Sequence, residues 1–322
     1  MLVLLGQFVA AQRAEIERRL TSPVELVVMP EGAAPSALAE ALGQARIVAS
    51  MAWSATLPPA PRLALLQLCA TGIDRVEPAA LPPGVTVCNV FGHEDAIGEY
   101  VVLGMLASAH RLIEQDRDFR AGSWDASGYM AGTPHGEIMG ATVGLLGWGR
   151  IGRAAAHRLR GFGTRTIVVN RSPVRDEDAD ETFGLDALDA VLPRLDYLVV
   201  ACAATPETIG LIDRRRLSLM KPGAVVINVA RAPIVDEAAL FDALRRRHLG
   251  GAVLDAWYRY PAARGESVAP SAFPFRDLPN VIMTPHSSGW TTGAIDRRWT
   301  AVAANIDRFL QGRPLANIVF RS

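Results

Sequence analysis

The chain has 322 residues, half of them apolar, with 33 basic against 33 acidic side chains and no formal net charge. That length accommodates two globular domains with a sizeable core, and the balanced charge argues against a nucleic-acid partner, which would call for a basic excess or stripe. Three cysteines, Cys69, Cys88 and Cys202, stand in apolar stretches without a C-x-x-C pair; they read as core thiols, with no metal site expected.

The N-terminal "MLVLLGQ" is apolar for five residues and breaks at Gly6 with no basic leader. That is too short for a signal peptide or a membrane span, so a cytoplasmic protein without a membrane partner is expected. Short apolar runs then alternate with helical patterns: a helix-period stretch from Val9 to Leu20, then "VELVVM", "PSALAEALGQ", "RIVASM", "LALLQLC" and "VTVCNV". Strands this uniformly apolar belong to a parallel sheet covered on both faces. They give one α/β unit up to about Val90. One long helix is expected from near Ala96 to about Arg120, followed by a Gly-rich loop, "AGSWDASGYMAGTPHGE". "TVGLLG" opens a second series, whose later strands are "TIVVN", "YLVVACA", "AVVINVA", "GAVLDAW" and "NVIMTP". Two such series imply two α/β domains with a cleft between them. The closing stretch "AIDRRWTAVAANIDRFLQG" has helical period and could return to the first domain.

Gly147-Trp148-Gly149-Arg150-Ile151-Gly152 is a G-x-G-x-x-G run between the strand "TVGLL" and the helix "RAAAHRLRGFG". This is the strand–turn–helix context that dinucleotide binding needs. Gly147 permits the tight turn, Gly149 lets a pyrophosphate approach the backbone, and Gly152 lets the helix pack close, with its first amides facing the phosphates. The next strand ends at Asn170, where such units usually carry an acid for the adenosine ribose. Asn170 removes the charge that would repel a 2′-phosphate, Arg171 adds a guanidinium that can pair with it, and Ser172 adds a donor. NADP is therefore the expected cofactor, with NAD or dual use as the other option.

"VGLLGWGRIG", "TPETIGLID", "MKPGAVVINVARAPIVDEAAL" and "LPNVIMTPHSSGWT", in this order, together with "ATGIDRV" and "NVFGHEDAIGEYV", resemble signatures of the D-isomer-specific 2-hydroxyacid dehydrogenases. The resemblance covers nearly the whole chain. It implies two Rossmann-like domains with a cleft between. Residues 1–98 plus 289–322 would form a flavodoxin-like substrate domain, and residues 99–288 an inserted NAD(P)-binding Rossmann domain. It also implies hinges near Ile97–Glu99 and Ser288–Trp290, and a homodimer joined through Glu99–Gly140.

On the same resemblance Arg231 holds the substrate carboxylate and polarises its carbonyl, and His286 exchanges a proton with the carbonyl oxygen. Asp255 matches the carboxylate beside the nicotinamide carboxamide. Ala203, Thr205 and Pro206, then Val229 and Ala230, then His286 and Ser288 would line the cofactor with the glycine loop. Thr71, Gly72 and Ile73 would bind the substrate through backbone amides, with Trp53 nearby. Trp53, Trp257, Tyr258 and Trp290 could line an aromatic mouth, although core packing explains each as well. Two departures stand out. Tyr260 occupies the place of the Glu that usually bonds the catalytic histidine; either Tyr260 orients His286, or Glu266 in the following loop supplies the missing acid. His93 stands where Asn is usual and could be a second polar reader of the substrate. The expected activity is reversible NAD(P)-dependent reduction of a 2-oxo acid of the glyoxylate or hydroxypyruvate type to the D-2-hydroxy acid. A phosphoglycerate dehydrogenase-like enzyme and a non-catalytic NAD(P)-sensing protein are the alternatives.

Overall fold

The computed structural model describes residues 1–262 and 265–322. In chain order the first elements are β1 (Leu2–Leu5), α1 (Gln7–Ala10), α2 (Arg13–Glu17), β2 (Leu26–Met29), α3 (Pro35–Gln44), β3 (Ile47–Ser50), β4 (Leu65–Leu68) and β5 (Thr86–Cys88). Then come α4 (Glu94–Ala109), α5 (Leu112–Arg120), β6 (Thr142–Leu146), α6 (Arg150–Leu159), β7 (Arg165–Asn170), β8 (Glu181–Gly184), α7 (Leu188–Val191) and β9 (Tyr197–Val200). The chain continues through α8 (Arg214–Leu219), β10 (Val225–Asn228), α9 (Glu237–Arg245), β11 (Gly251–Leu254) and β12 (Val281–Met283), and closes with α10 (Thr292–Leu310) and β13 (Ile318–Arg321). Two compact units result, Met1–His93 with Thr292–Ser322, and Glu94–Thr291. These bounds differ by a few residues from the 98/99 and 288/289 divisions expected from sequence, because α4 belongs with the second unit from its first turn.

The first unit is built on a sheet of order β2-β1-β3-β4-β5-β13, parallel except for β13. Strand residues alternate between two cores: Val3, Val48, Leu66 and Val87 face one, and Leu2, Leu4, Ile47 and Leu65 face the other. Both faces are covered, as the uniformly apolar strands require. α10 lies on the second core through Trp299, Val302 and Ile306. The Asp307 carboxylate fixes it, accepting from the Thr21 amide and hydroxyl at 2.9 and 2.7 Å and from the Ser22 amide at 2.8 Å. The stretch expected as one helix from Val9 to Leu20 is broken at Ala11–Gln12 into α1 and α2.

The second unit holds a fully parallel sheet of order β12-β11-β10-β9-β6-β7-β8. This is the doubly wound dinucleotide-binding order, which reverses between β6 and β9. The expected long helix from Ala96 to Arg120 is two helices, α4 and α5, bent by 56°. Arg111 between them has a φ of 51°, and the Gln115 side chain donates to the carbonyl of His110, taking up an acceptor that the helix end leaves over. Among the described residues no single helix is long and apolar enough to cross a membrane.

Candidate active site

Ligands of open α/β sheets bind beyond the carboxyl ends of the strands where the order reverses. The glycine loop leaves β6 at this point. Gly147 has a φ of 106°, and a Cβ on it would lie 2.7 Å from the Cys202 backbone. A Cβ on Gly152 would lie 2.3 Å from the Gly147 carbonyl oxygen. Protein packing therefore demands both glycines. A Cβ on Gly149, by contrast, would meet nothing within 4 Å, so what that glycine keeps clear is the space in front of α6. That helix starts at Arg150 with no side-chain cap and no acid in its first turn. Its amides and dipole favour an anion, and the cradle fits a dinucleotide pyrophosphate.

The Trp148 amide donates to Asn170 Oδ1 at 3.4 Å, and Asn170 Nδ2 donates to the Ser172 carbonyl at 3.3 Å. Arg171 and Ser172 are exposed beyond β7. Across the order reversal, the loop after β9 is stitched by Thr208, whose hydroxyl accepts from the Thr205 amide at 2.7 Å and donates to the Ala203 carbonyl at 2.7 Å. Pro206 is exposed in the same loop. Glu207 is held below the usual carboxylate range, chiefly by the Thr205 hydroxyl, with the Arg171 charge contributing. Ile151 is half-buried, and Arg150 lies 3.5 Å from the Glu94 carboxylate.

Arg231 follows β10 with Val229 and Ala230 buried before it. Its backbone is fixed by Asn228, whose Oδ1 accepts from the Ala230 amide and whose Nδ2 donates to the Arg231 carbonyl, both at 3.1 Å. The Arg231 guanidinium donates back to the Ala230 carbonyl at 3.0 Å. The Tyr258 hydroxyl donates to the Val235 carbonyl at 2.8 Å, and burial pushes that phenol well above its ordinary pKa.

His286 stands in the loop after β12 with a φ of 57°. The Tyr260 hydroxyl lies 2.7 Å from His286 Nδ1 and accepts from the Trp257 amide at 3.0 Å. The Glu266 carboxylate accepts from the Ala262 amide at 2.7 Å. Asp255, 1% exposed, holds the histidine loop. Its Oδ1 accepts from the Thr284 hydroxyl at 2.6 Å and the Ser287 amide at 2.7 Å, and its Oδ2 accepts from the Ser288 amide at 3.0 Å. Arg231, Tyr260, Asp255 and His286 thus stand on loops leaving one edge of the second sheet.

A phenol differs from a carboxylate at Nδ1 in one respect. A carboxylate only accepts, which fixes Nδ1–H and leaves Nε2 to take or give the proton. The Tyr260 oxygen can accept from Nδ1–H, but its own O–H can also donate to a bare Nδ1. In that second arrangement the neutral ring carries its proton on Nε2 and is no base there.

In the first unit the Thr71 hydroxyl donates to the Val90 carbonyl at 2.7 Å and lies 3.3 Å from His93 Nε2. The Thr71 carbonyl accepts from Asn89 Nδ2 at 2.8 Å. Thr71 and Gly72 are half-buried, whereas Ile73 is exposed. Trp53 corrects the sequence expectation. It is 2% exposed within the first unit's core, and its Nε1 donates to the Ala80 carbonyl at 3.1 Å, so it lines no mouth. Trp257 is likewise buried, with Nε1 donating to the Thr284 carbonyl at 2.7 Å; of the four aromatics, Trp290 is exposed. Burial pushes the thiol of Cys69 up to about 12 and that of Cys202 up to about 11, so neither is a thiolate nucleophile at neutral pH.

A family model described as the D-isomer specific 2-hydroxyacid dehydrogenase, NAD binding domain, matches residues 102–288. The chain belongs to this dehydrogenase family. It is 35% identical over 258 residues to a D-3-phosphoglycerate dehydrogenase of Mycobacterium leprae, covering 80% of this chain and 47% of the relative. It therefore spans about half the length of that relative. A glyoxylate reductase of Thermococcus kodakarensis is 35% identical over 261 residues, covering 79% of this chain and 75% of the relative. Among solved structures, a 2-hydroxyacid dehydrogenase from Ketogulonicigenium vulgare superposes with a TM-score of 0.82 at 26% identity, covering 99% of this chain and 98% of that one.

Three residues of this dehydrogenase chain escaped the sequence reading: Asn228, Thr284 and Tyr100. Asn228 and Thr284 sit inside motifs quoted for their charged neighbours, beside Arg231 and His286. Tyr100 lies in α4, within another quoted motif far away in sequence, and nothing in the sequence signals that its hydroxyl lies 2.5 Å from Thr284 Oγ1.

Proposed function

We propose that the protein is a 2-oxo acid reductase, preferring NADP, that forms the D-2-hydroxy acid reversibly. The single observation that carries this reading is His286 held at Nδ1 by Tyr260, on a loop anchored by Asp255. Hydride donation and acceptance are the chemistry that a bound nicotinamide supplies. The Arg231 fork binds the substrate carboxylate and draws charge towards the carbonyl oxygen. His286 Nε2 gives that oxygen a proton in reduction and takes it back in oxidation. Tyr260 orients the imidazole from the other nitrogen. Because the phenol can also stabilise the tautomer that is no base, oxidation is the more impaired direction. The substrate-reading residues of the first unit are Thr71, Gly72 and Ile73 through their amides, and His93 through its ring.

The NADP preference is supported by the missing carboxylate at Asn170 and by the exposed Arg171 and Ser172 beside it. The relatives leave two acceptor classes, plain and phosphorylated 2-oxo acids. The test is oxidation of NADPH and NADH side by side with glyoxylate, hydroxypyruvate, phosphohydroxypyruvate and a phenyl-bearing 2-oxo acid. Turnover faster with NADPH on a small unphosphorylated acceptor is expected. No turnover on any acceptor, with cofactor still bound, would make the protein a nicotinamide-binding module instead.

A homodimer through the α4–α5 region belongs to the same proposal. Leu112, Ile113, Phe119, Trp124, Tyr129 and Met130 are all more than half exposed along α5 and the loop after it, and such an apolar concentration suits a covered surface. Sedimentation equilibrium at micromolar protein should give a dimer mass; a monomer would overturn this part.

A further inference from the structure

We infer that Thr284 and Tyr100 are positioning residues for His286, acting through the Asp255 carboxylate. The inference rests on the reading of His286 as the proton donor and acceptor, and extends it to two side chains linked to its loop through Asp255.

The directions of the hydrogen bonds follow from chemistry. An ionised carboxylate only accepts, so the single hydroxyl proton of Thr284 goes to Asp255 Oδ1, 2.6 Å away. The Tyr100 hydroxyl lies 2.5 Å from Thr284 Oγ1. With the Thr284 proton already committed, Tyr100 must be the donor. Burial pushes the Tyr100 phenol up to about 12, so it keeps its proton across the working pH range. A one-way chain results, from Tyr100 through Thr284 to Asp255. Beyond it, the carboxylate accepts the amides of Ser287 and Ser288, the two residues that follow His286.

This chain has a definite task. His286 adopts a left-handed backbone, with a φ of 57°, which a non-glycine residue holds only where its surroundings impose it. The Asp255 bonds impose it from one side: one carboxylate oxygen is taken by Thr284 and Ser287, and the other by Ser288.

The decisive variant is Thr284→Val, nearly the same shape without the hydroxyl. Asp255 loses one of its three donors, and the histidine loop that it holds loosens. kcat should fall about tenfold while KM for the 2-oxo acid changes little, because the substrate's own contacts are untouched. Thr284→Ser keeps the hydroxyl and should restore kcat. Tyr100→Phe should lower kcat by a smaller step, and adding it to Thr284→Val should have little further effect. An unchanged kcat in Thr284→Val overturns the inference, as does a Thr284→Ser variant no better than Val. If Thr284→Val fails to fold, Tyr100→Phe decides by the same split between kcat and KM. Failure of the underlying reading looks different: His286→Asn would then retain the wild-type rate.

Discussion

Removing the Tyr260 hydroxyl is the sharpest perturbation of this site. Tyr260→Phe keeps the ring packing and deletes two hydrogen bonds, the one at 2.7 Å to His286 Nδ1 and the one at 3.0 Å from the Trp257 amide. A typical net hydrogen bond contributes about 0.5–1.5 kcal/mol, and one to a charged partner about 1.5–3. Tyr260 is 48% exposed, so water reaches Nδ1 and replaces part of the bond, which puts the loss in transition-state stabilisation at about 1–2 kcal/mol. That corresponds to a fall in kcat/KM of about 5- to 30-fold, with cofactor affinity unchanged. A second substitution, Tyr260→Glu, restores the carboxylate usual in the family. An acceptor-only partner favours imidazolium, so the proton donor survives to higher pH and the basic limb of the reduction profile moves up. At this exposure an ion pair is worth about 0.2–1 kcal/mol, a displacement of about half a pH unit. Oxidation should gain relative to reduction at high pH, because the tautomer with its proton on Nε2 is no longer stabilised. The assay is steady-state kinetics in both directions across pH. A Tyr260→Phe enzyme within twofold of wild type throughout, together with an unmoved limb in Tyr260→Glu, would refute the reasoning.

Arg231→Lys keeps the charge and loses the planar fork, so kcat/KM for a 2-oxo acid should fall about 30- to 100-fold while thermal stability barely changes. Arg171→Ala should weaken NADPH about tenfold and leave NADH unaltered, as read by fluorescence titration; equal loss with both cofactors would reject the 2′-phosphate reading. Asp307→Asn should lower unfolding free energy at neutral pH by about 2 kcal/mol, measured by urea denaturation, since an amide nitrogen would face the Thr21 and Ser22 donors. Burial alone would raise the Asp307 pKa, but the Thr21 and Ser22 hydrogen bonds outweigh it and hold it low. Its stabilisation is therefore complete above the unfolded pKa of about 3.9 and is lost as pH falls through the lower folded value. The gap between the two proteins should accordingly close below about pH 4.

Much of the fold is legible because most strands are apolar on both sides and because backbone contacts demand Gly147 and Gly152. Two strands are not. β8, "ETFG", and β13, "IVFR", lie at sheet edges, where one-sided pairing relaxes the need for an apolar run. The break at Arg111 is equally silent, because arginine is a good helix former and gives no sign of a left-handed turn. In the site, Arg231, His286, Asp255 and Tyr260 can be named from their motifs. What sequence does not give is direction: which donors fill the Asp255 oxygens, and that Trp53 points its indole at Ala80 within the core rather than outwards. Those are matters of side-chain neighbours far apart in the chain.

The left-handed backbone at His286 has a consequence beyond catalysis. A side chain there holds roughly 1 kcal/mol of strain that glycine would not, so His286→Gly should relax the loop and, on the proposed function, abolish the proton exchange. Folding and chemistry therefore select for different residues at this one position. On the proposed function, drift in a lineage relieved of catalytic duty would carry position 286 towards glycine or asparagine.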